Sequence, residues 1–298
     1  MSENIETINK AALDALCQDD FYQAQTLFRK NAKINPSHVS FNNLGVFYVF
    51  EGIQTQNNKY REAKKLGVSY LKKAIALQPL KLSYLALGHV CIDAKDYNSA
   101  SRNFTEANAF ESDNTSLHNL ALSYYKGGMY KEALFWFEKA LHGCSKSDYF
   151  ETFASYLFSL LQVDKKRCRE EMDVLFDNDT NDIAIERFTL AYLCGDMQLA
   201  EHQIEKMLKY FDVGLEVTAM VFDCLISQEK ADEAERHLKC KIQFLEETGD
   251  NYFKQEIERY KKLFLCEAYR KEIIASFRYT VPLIAQCCYY GCTIHNPY

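Results

Sequence analysis

A pattern of large and small apolar residues returns along this chain at a spacing of about 34 residues, and it restricts the fold more than any other feature. The stretch YLALGHVCIDAKDYNSASRNFTEANAFESDN, from Tyr84, aligns with LHNLALSYYKGGMYKEALFWFEKALHGCSKS, from Leu117. Tyr97 then matches Tyr130, Ala100 matches Ala133, Phe104 matches Phe137 and Ala107 matches Ala140, each pair 33 residues apart. Spacings of four and then three put Ala, Phe and Ala on one helix face. Small alanines at a close crossing, with a phenylalanine filling the space beside them, suit two antiparallel helices packed tightly together. One such pair cannot bury its apolar face alone, so the units must stack.

Ile8, Ala12, Phe21, Ala24, Phe28 and Pro36 fit a first unit. Phe41, Leu44, Gly45 and Tyr48 open a second, which Leu71, Ala74 and Pro79 close. Between its halves lies EGIQTQNNKYREAKKL, an insertion near 51–66. Tyr84, Leu87 and Gly88 open the third unit, and Leu117, Leu120, Ala121 and Tyr124 the fourth. This pattern resembles the tetratricopeptide repeat (TPR) family. The resemblance implies an all-α, right-handed α-solenoid. Beyond residue 145 the signature fades while the period persists, with Ala200 and Ile204, then Ala234 and Leu238, in the Ala–Phe places. The expected organisation is four repeats over 1–145, three degenerate TPR-like helix pairs over 146–250, and a capping helix with a Cys-rich tail over 251–298. That makes about seven pairs. The capping helix is expected as one element over 251–277, because a solenoid's last apolar face needs a cover. The segment 142–148 is the weakest junction in the pattern.

Composition agrees with this reading. The 298 residues include 11 Gly and 4 Pro, few for a turn-rich β protein. The net charge of −6 gives no basic face for nucleic acid. No apolar run reaches the roughly 20 residues of a membrane span, and the first residues do not read as a secretory signal. Eleven cysteines, mostly single within helical patterns, suggest a reducing compartment and a cytoplasmic location. HExxH, GxSxG, CxxC and Gly-rich phosphate-loop motifs are absent from the sequence. The expected protein is therefore not an enzyme and needs no cofactor. DNDTND (177–182) has oxygen ligands suited to calcium but lacks the loop's Gly and closing Glu, so a polar turn is the better reading. His202 and His237 read as solvated.

The resemblance also implies a concave groove lined by the first helix of each repeat. Its expected lining is Asn42, Asn43, Val46 and Phe50 from the second repeat, His89 from the third, and His118, Asn119, Leu122, Tyr125 and Lys126 from the fourth. Asn43 and Asn119 share one repeat position, with Lys10 and Ala86 in the equivalent places of the first and third repeats. A carboxamide both donates and accepts, so it can pair with a peptide backbone whatever the peptide's sequence. Bonds to a neighbouring helix or to water are the alternative. A second family mode, a carboxylate clamp of Lys, Asn and Arg on successive repeats, has only Asn43 in place. Asn9, Leu13, Leu82 and Ala86 stand at its other positions.

Two functions are carried forward. The first is a scaffold or adaptor that binds a partner peptide or helix in the groove, with no nucleic acid or membrane involved. The second rests on QCCYYGCTIHNPY (286–298). Cys287, Cys288, Cys292 and His295 are crowded there, which suits an accessory or carrier protein whose segment a partner enzyme modifies, oxidises or metal-loads. The alternative is an apolar end-piece packed on the solenoid.

Overall fold

A computed structural model of the chain describes residues 5–55, 60–144, 149–175, 183–210, 213–247 and 253–292. All of its regular structure is helical, with no strand among the described residues. The chain divides into two compact units.

The first unit comprises Met1–His142 together with Val281–Tyr298. Its helices pack in sequential pairs. Helix α1 (Ile5–Cys17) packs on α2 (Phe21–Ile34). Helix α3 (His38–Phe50) is followed by one short turn, α4 (Gly52–Thr55), and packs on α5 (Tyr60–Leu77). Helix α6 (Lys81–Asp93) packs on α7 (Tyr97–Phe110), and α8 (Asn114–Lys126) on α9 (Tyr130–Leu141). The inserted residues of the second repeat thus supply α4 and the first turns of an 18-residue α5.

The second unit, Gly143–Thr280, continues the same arrangement. Helix α10 (Phe150–Val163) packs on α11 (Lys165–Glu171), which ends in a 3-10 turn (Met172–Leu175). Helix α12 (Ala184–Cys194) packs on α13 (Met197–Tyr210), and α14 (Leu215–Ser227) on α15 (Ala231–Glu247). The calcium-like run 177–182 lies outside the described residues.

The repeat signature marks the buried surface. Ala100, Phe104, Ala107, Ala133, Phe137 and Ala140 are completely buried, as are Ala200, Phe188 and Ala234 in the second unit. A Cβ on Gly88 would lie 2.6 Å from the Phe104 ring, so glycine there lets α6 sit directly on α7.

Five of the turns inside the pairs share one geometry. Asp19, Lys95, Gly128, Gly195 and Glu229 all have left-handed φ, between 58° and 83°. In each case the left-handed residue's N–H bonds the carbonyl three residues back, as Lys95 does to Ile92 at 3.0 Å. The next residue's N–H reaches five back, as Asp96 does to Cys91 at 2.9 Å and Lys230 to Leu225 at 2.9 Å. These two bonds satisfy carbonyls that a helix end would otherwise leave unpaired. Asp20, Asp96 and Asp196 then accept from the N–H three residues on, starting the second helix.

The expected single helix over 251–277 is two. Helix α16 (Phe253–Leu265) stops and α17 (Glu267–Ser276) begins, with Cys266 between them in an extended conformation. Arg270 explains the break. Its buried guanidinium donates to the Leu263 and Phe264 carbonyls at the end of α16, at 3.0 and 3.3 Å. It also donates to Asp223 on α14 at 3.1 Å, and the other Asp223 oxygen accepts from the Tyr192 hydroxyl at 2.8 Å. A continuous helix would use those two carbonyls internally. His237, expected in solvent, is half-buried, and burial pushes its pKa down.

Candidate functional site

Helices α3 and α8 begin alike. Ser37 caps α3 and Asp113 caps α8, each in a reciprocal box with a serine three residues on. Asn42 and Asn43 therefore sit five and six residues past one cap, and His118 and Asn119 sit five and six past the other. All four are completely buried. Buried amides need partners, and here an extended segment of the same chain, residues 281–292, supplies them.

Asn119 grips both backbone groups of Ile284. The Ile284 N–H donates to its Oδ1 at 3.0 Å, and its Nδ2 donates to the Ile284 carbonyl at 2.8 Å. Asn43 does the same to Tyr290, at 2.8 Å from the N–H and 3.0 Å to the carbonyl. Asn42 donates to the Cys288 carbonyl at 3.0 Å, and Asn9 donates to that of Tyr290 at 3.1 Å. The His118 Nε2 lies 2.9 Å from the Pro282 carbonyl, which fixes the proton on Nε2. Burial holds this imidazole's pKa at about 4, so the ring is a neutral donor. The amides also support one another. Asn43 donates to Asn9 at 2.7 Å, Asn42 donates to Asn43 at 3.0 Å, and Ser83 donates to Asn42 at 2.7 Å.

All the gripped residues (282, 284, 288 and 290) are even-numbered. In an extended chain alternate residues present their N–H and C=O to the same edge. The groove therefore reads one edge of a strand that runs from the fourth repeat back to the first. Ile284 and Tyr290 are six residues apart, about 20 Å of extended chain. Two steps between neighbouring helices at 8–10 Å each span the same distance. The strand advances about three residues per repeat, an odd number, so the third repeat faces the opposite edge. That is the repeat where Ala86 replaces the amide.

Side chains of the segment add contacts. Gln286 donates to Asp113 at 3.1 Å. The Tyr289 ring stacks on Phe28, with centroids 5.7 Å apart and planes 12° from parallel. Its hydroxyl is sealed from solvent and has no hydrogen-bond partner among the described residues. Gly291 turns the chain with φ +76°, and the Cys292 N–H returns to the Tyr289 carbonyl.

Sequence reasoning thus chose four residues that meet the segment: Asn42, Asn43, His118 and Asn119. The other six have different surroundings. Val46 and Leu122 are buried core residues. His89 lies between Phe50 and Phe104, with ring centroids at 6.0 and 5.8 Å, and burial lowers its pKa to about 4. Tyr125 meets Tyr130 edge-on at 5.3 Å. Burial and then Lys95 depress the Lys126 ammonium. Asn9, Ser83, Asp113 and Phe28 were not chosen for this site. Asn9 was weighed only for a carboxylate clamp, although an amide one turn from Leu13 on a first helix was a usable signal.

Two of the three tail cysteines are withdrawn from solvent and Cys287 is partly so. Cys288 and Cys292 are buried, and burial pushes the Cys287 thiol up to about 11 and Cys288 still higher. Among the described residues no three His, Cys, Asp or Glu side chains converge to hold a metal. His295 lies outside the described residues. Among the described residues no helix is long and apolar enough to cross a membrane.

Residues 115–142, α8 with α9, match the tetratricopeptide repeat family model. The fold is shared with a tetratricopeptide repeat protein from Parabacteroides merdae, at TM-score 0.55 and 17% identity, covering 88% of this chain and 98% of that one. The chain also aligns with Pseudomonas aeruginosa PilF (16% identity, TM-score 0.47, covering 92% of this chain and 97% of that one). Yeast Tom70 aligns at 15% identity and TM-score 0.46, over 90% of this chain and 54% of that one. No curated protein sequence matches the chain. The described helix pairs share the all-α solenoid fold of tetratricopeptide repeat proteins, and α8 with α9 matches one such repeat.

Proposed function

We propose that this protein is a non-enzymatic scaffold or adaptor whose first-unit groove binds an extended peptide segment of a partner protein. One observation carries this reading. Asn43 and Asn119 each take both backbone groups of a single residue in an extended segment, and the chain's own tail occupies that position. Recognition of this kind uses main-chain bonds for affinity. The groove residues proposed for contact are Asn42, Asn43, His118 and Asn119, with Asn9 added. A partner then binds by displacing residues 281–292, whose tether gives the tail a local concentration on the order of millimolar. A soluble cytoplasmic setting suits the eleven free thiols.

The test is recovery of the partner from the native host by wild-type chain and by the Asn43→Ala/Asn119→Ala variant. The variant should lose the partner. Undiminished recovery would place the binding surface elsewhere. The carrier reading of the Cys-rich tail requires that segment to leave the groove before chemistry on Cys288. An unmodified, metal-free intact mass from the native host would remove its simplest form.

A further inference from the structure

The asparagine clamps touch only main chain, so they cannot by themselves tell one peptide from another. Selectivity needs a side chain that enters the groove wall; Val281 and Cys288 are buried too, and Tyr289 brings the largest ring to the core. Its ring packs against the core formed by Ala12, Ala24, Phe28 and Phe47, stacked on Phe28. The neighbouring Tyr290 side chain is exposed, so the two adjacent tyrosines face opposite ways, as an extended chain demands. Among the described residues none hydrogen-bonds the Tyr289 hydroxyl, which is buried. A buried hydroxyl with no partner is a net cost. The same ring without the oxygen keeps the stack and avoids that cost.

We propose, resting on the peptide-groove reading above, that this pocket sets the groove's specificity. The partner segment is an extended peptide with a phenylalanine in the Tyr289 place, one residue before the residue held by Asn43 and five after the one held by Asn119. The tail is then a serviceable but imperfect occupant. Its tyrosine fills the pocket well enough to keep the groove closed, and a phenylalanine-bearing partner displaces it.

The experiment uses full-length chains and synthetic 12-residue peptides of the 281–292 sequence, with serine for cysteine and Phe, Tyr or Ala at the pocket position. The receptor is full-length Tyr289→Ala, which weakens the tail and leaves the groove intact. Fluorescence anisotropy should rank the peptides Phe, Tyr, Ala, with Phe about ten-fold tighter than Tyr. In parallel, mass spectrometry of Cys288 alkylation follows tail release within the chain. Tyr289→Phe should slow labelling about ten-fold relative to wild type, and Tyr289→Ala should speed it. Equal affinity for the three peptides, with Asn43→Ala still abolishing binding, overturns the pocket's selectivity and leaves the peptide groove standing. Tyr tighter than Phe overturns it as well. No binding by any peptide, with Cys288 labelling unchanged by Asn43→Ala, overturns both.

Discussion

The two units differ in how plainly their sequences declare the repeat and little in how they build it. In the first, Tyr, Ala, Phe and Ala recur at fixed places. In the second, Ile204 and Leu238 stand where phenylalanine stood, and the match to the family model, residues 115–142, falls in the first unit. Yet Gly195 and Glu229 make the same left-handed turn as Asp19, Lys95 and Gly128, with the same pair of backbone bonds. The turn depends on backbone geometry and tolerates several side chains. The core depends on volume and does not require a particular residue. A family signature records side chains, so it fades before the architecture does.

Core truncation should break this equivalence if it is wrong. Phe137→Ala in the first unit and Phe188→Ala in the second should each cost about 3–5 kcal/mol, because both are completely buried. Denaturant unfolding followed by segment-resolved hydrogen exchange would measure them separately. A loss under about 1 kcal/mol at either site, the range of exposed positions, means the register there is misplaced.

The buried polar networks of the two units should respond differently. The second relies on charge, through Arg270 and Asp223. Arg270→Ala should cost about 3 kcal/mol by leaving the Asp223 charge without its cation and two helix-end carbonyls without their donor, with exchange rising first in 263–276. The first unit relies on neutral amides and imidazoles, and acid should single it out. His89 and His118 have pKa values near 4 when folded, against an ordinary 6.5. Their depressed values favour the native state at pH above 6.5. That contribution disappears as pH falls from 6.5 toward 4, by up to about 3 kcal/mol for each ring. Exchange in α6, α8 and the tail should quicken over that window, and His118→Gln should flatten the dependence. A flat profile in wild type would show that neither ring is buried neutral.

The smallest test returns to the shared turn. Lys95→Gly and Glu229→Gly should each stabilise their own unit by about 1 kcal/mol, since glycine adopts left-handed φ without penalty. A gain at one site only would separate the units after all.

Most of the helix pairing was legible because apolar periodicity and turn residues report it directly. The capping region was harder. Its helical periodicity runs through Cys266, and only a tertiary partner, Asp223, tells Arg270 to end one helix and start another. The groove was half legible. Asn43 and Asn119 were recognisable because an amide at a repeated position has a limited set of uses. Their occupant was not, since the tail is held by its main chain, which every sequence possesses. Its three cysteines raised metal or redox chemistry, while the other expectation, an apolar end-piece packed on the repeats, is what the segment does. The informative residues were Pro282, which keeps helix from continuing, and Tyr289.

The even-numbered grip of the groove makes it a device for counting. Between the two clamped residues, Ile284 and Tyr290, it accepts five. Most substitutions between Ile284 and Tyr290 leave that count alone. Inserting one residue shifts the frame: whichever clamp engages first, the other meets the wrong edge and loses both of its bonds. Inserting two restores the edge and leaves a bulge of slack. Length is what the two clamps measure, and the side chain in the Tyr289 pocket is read separately.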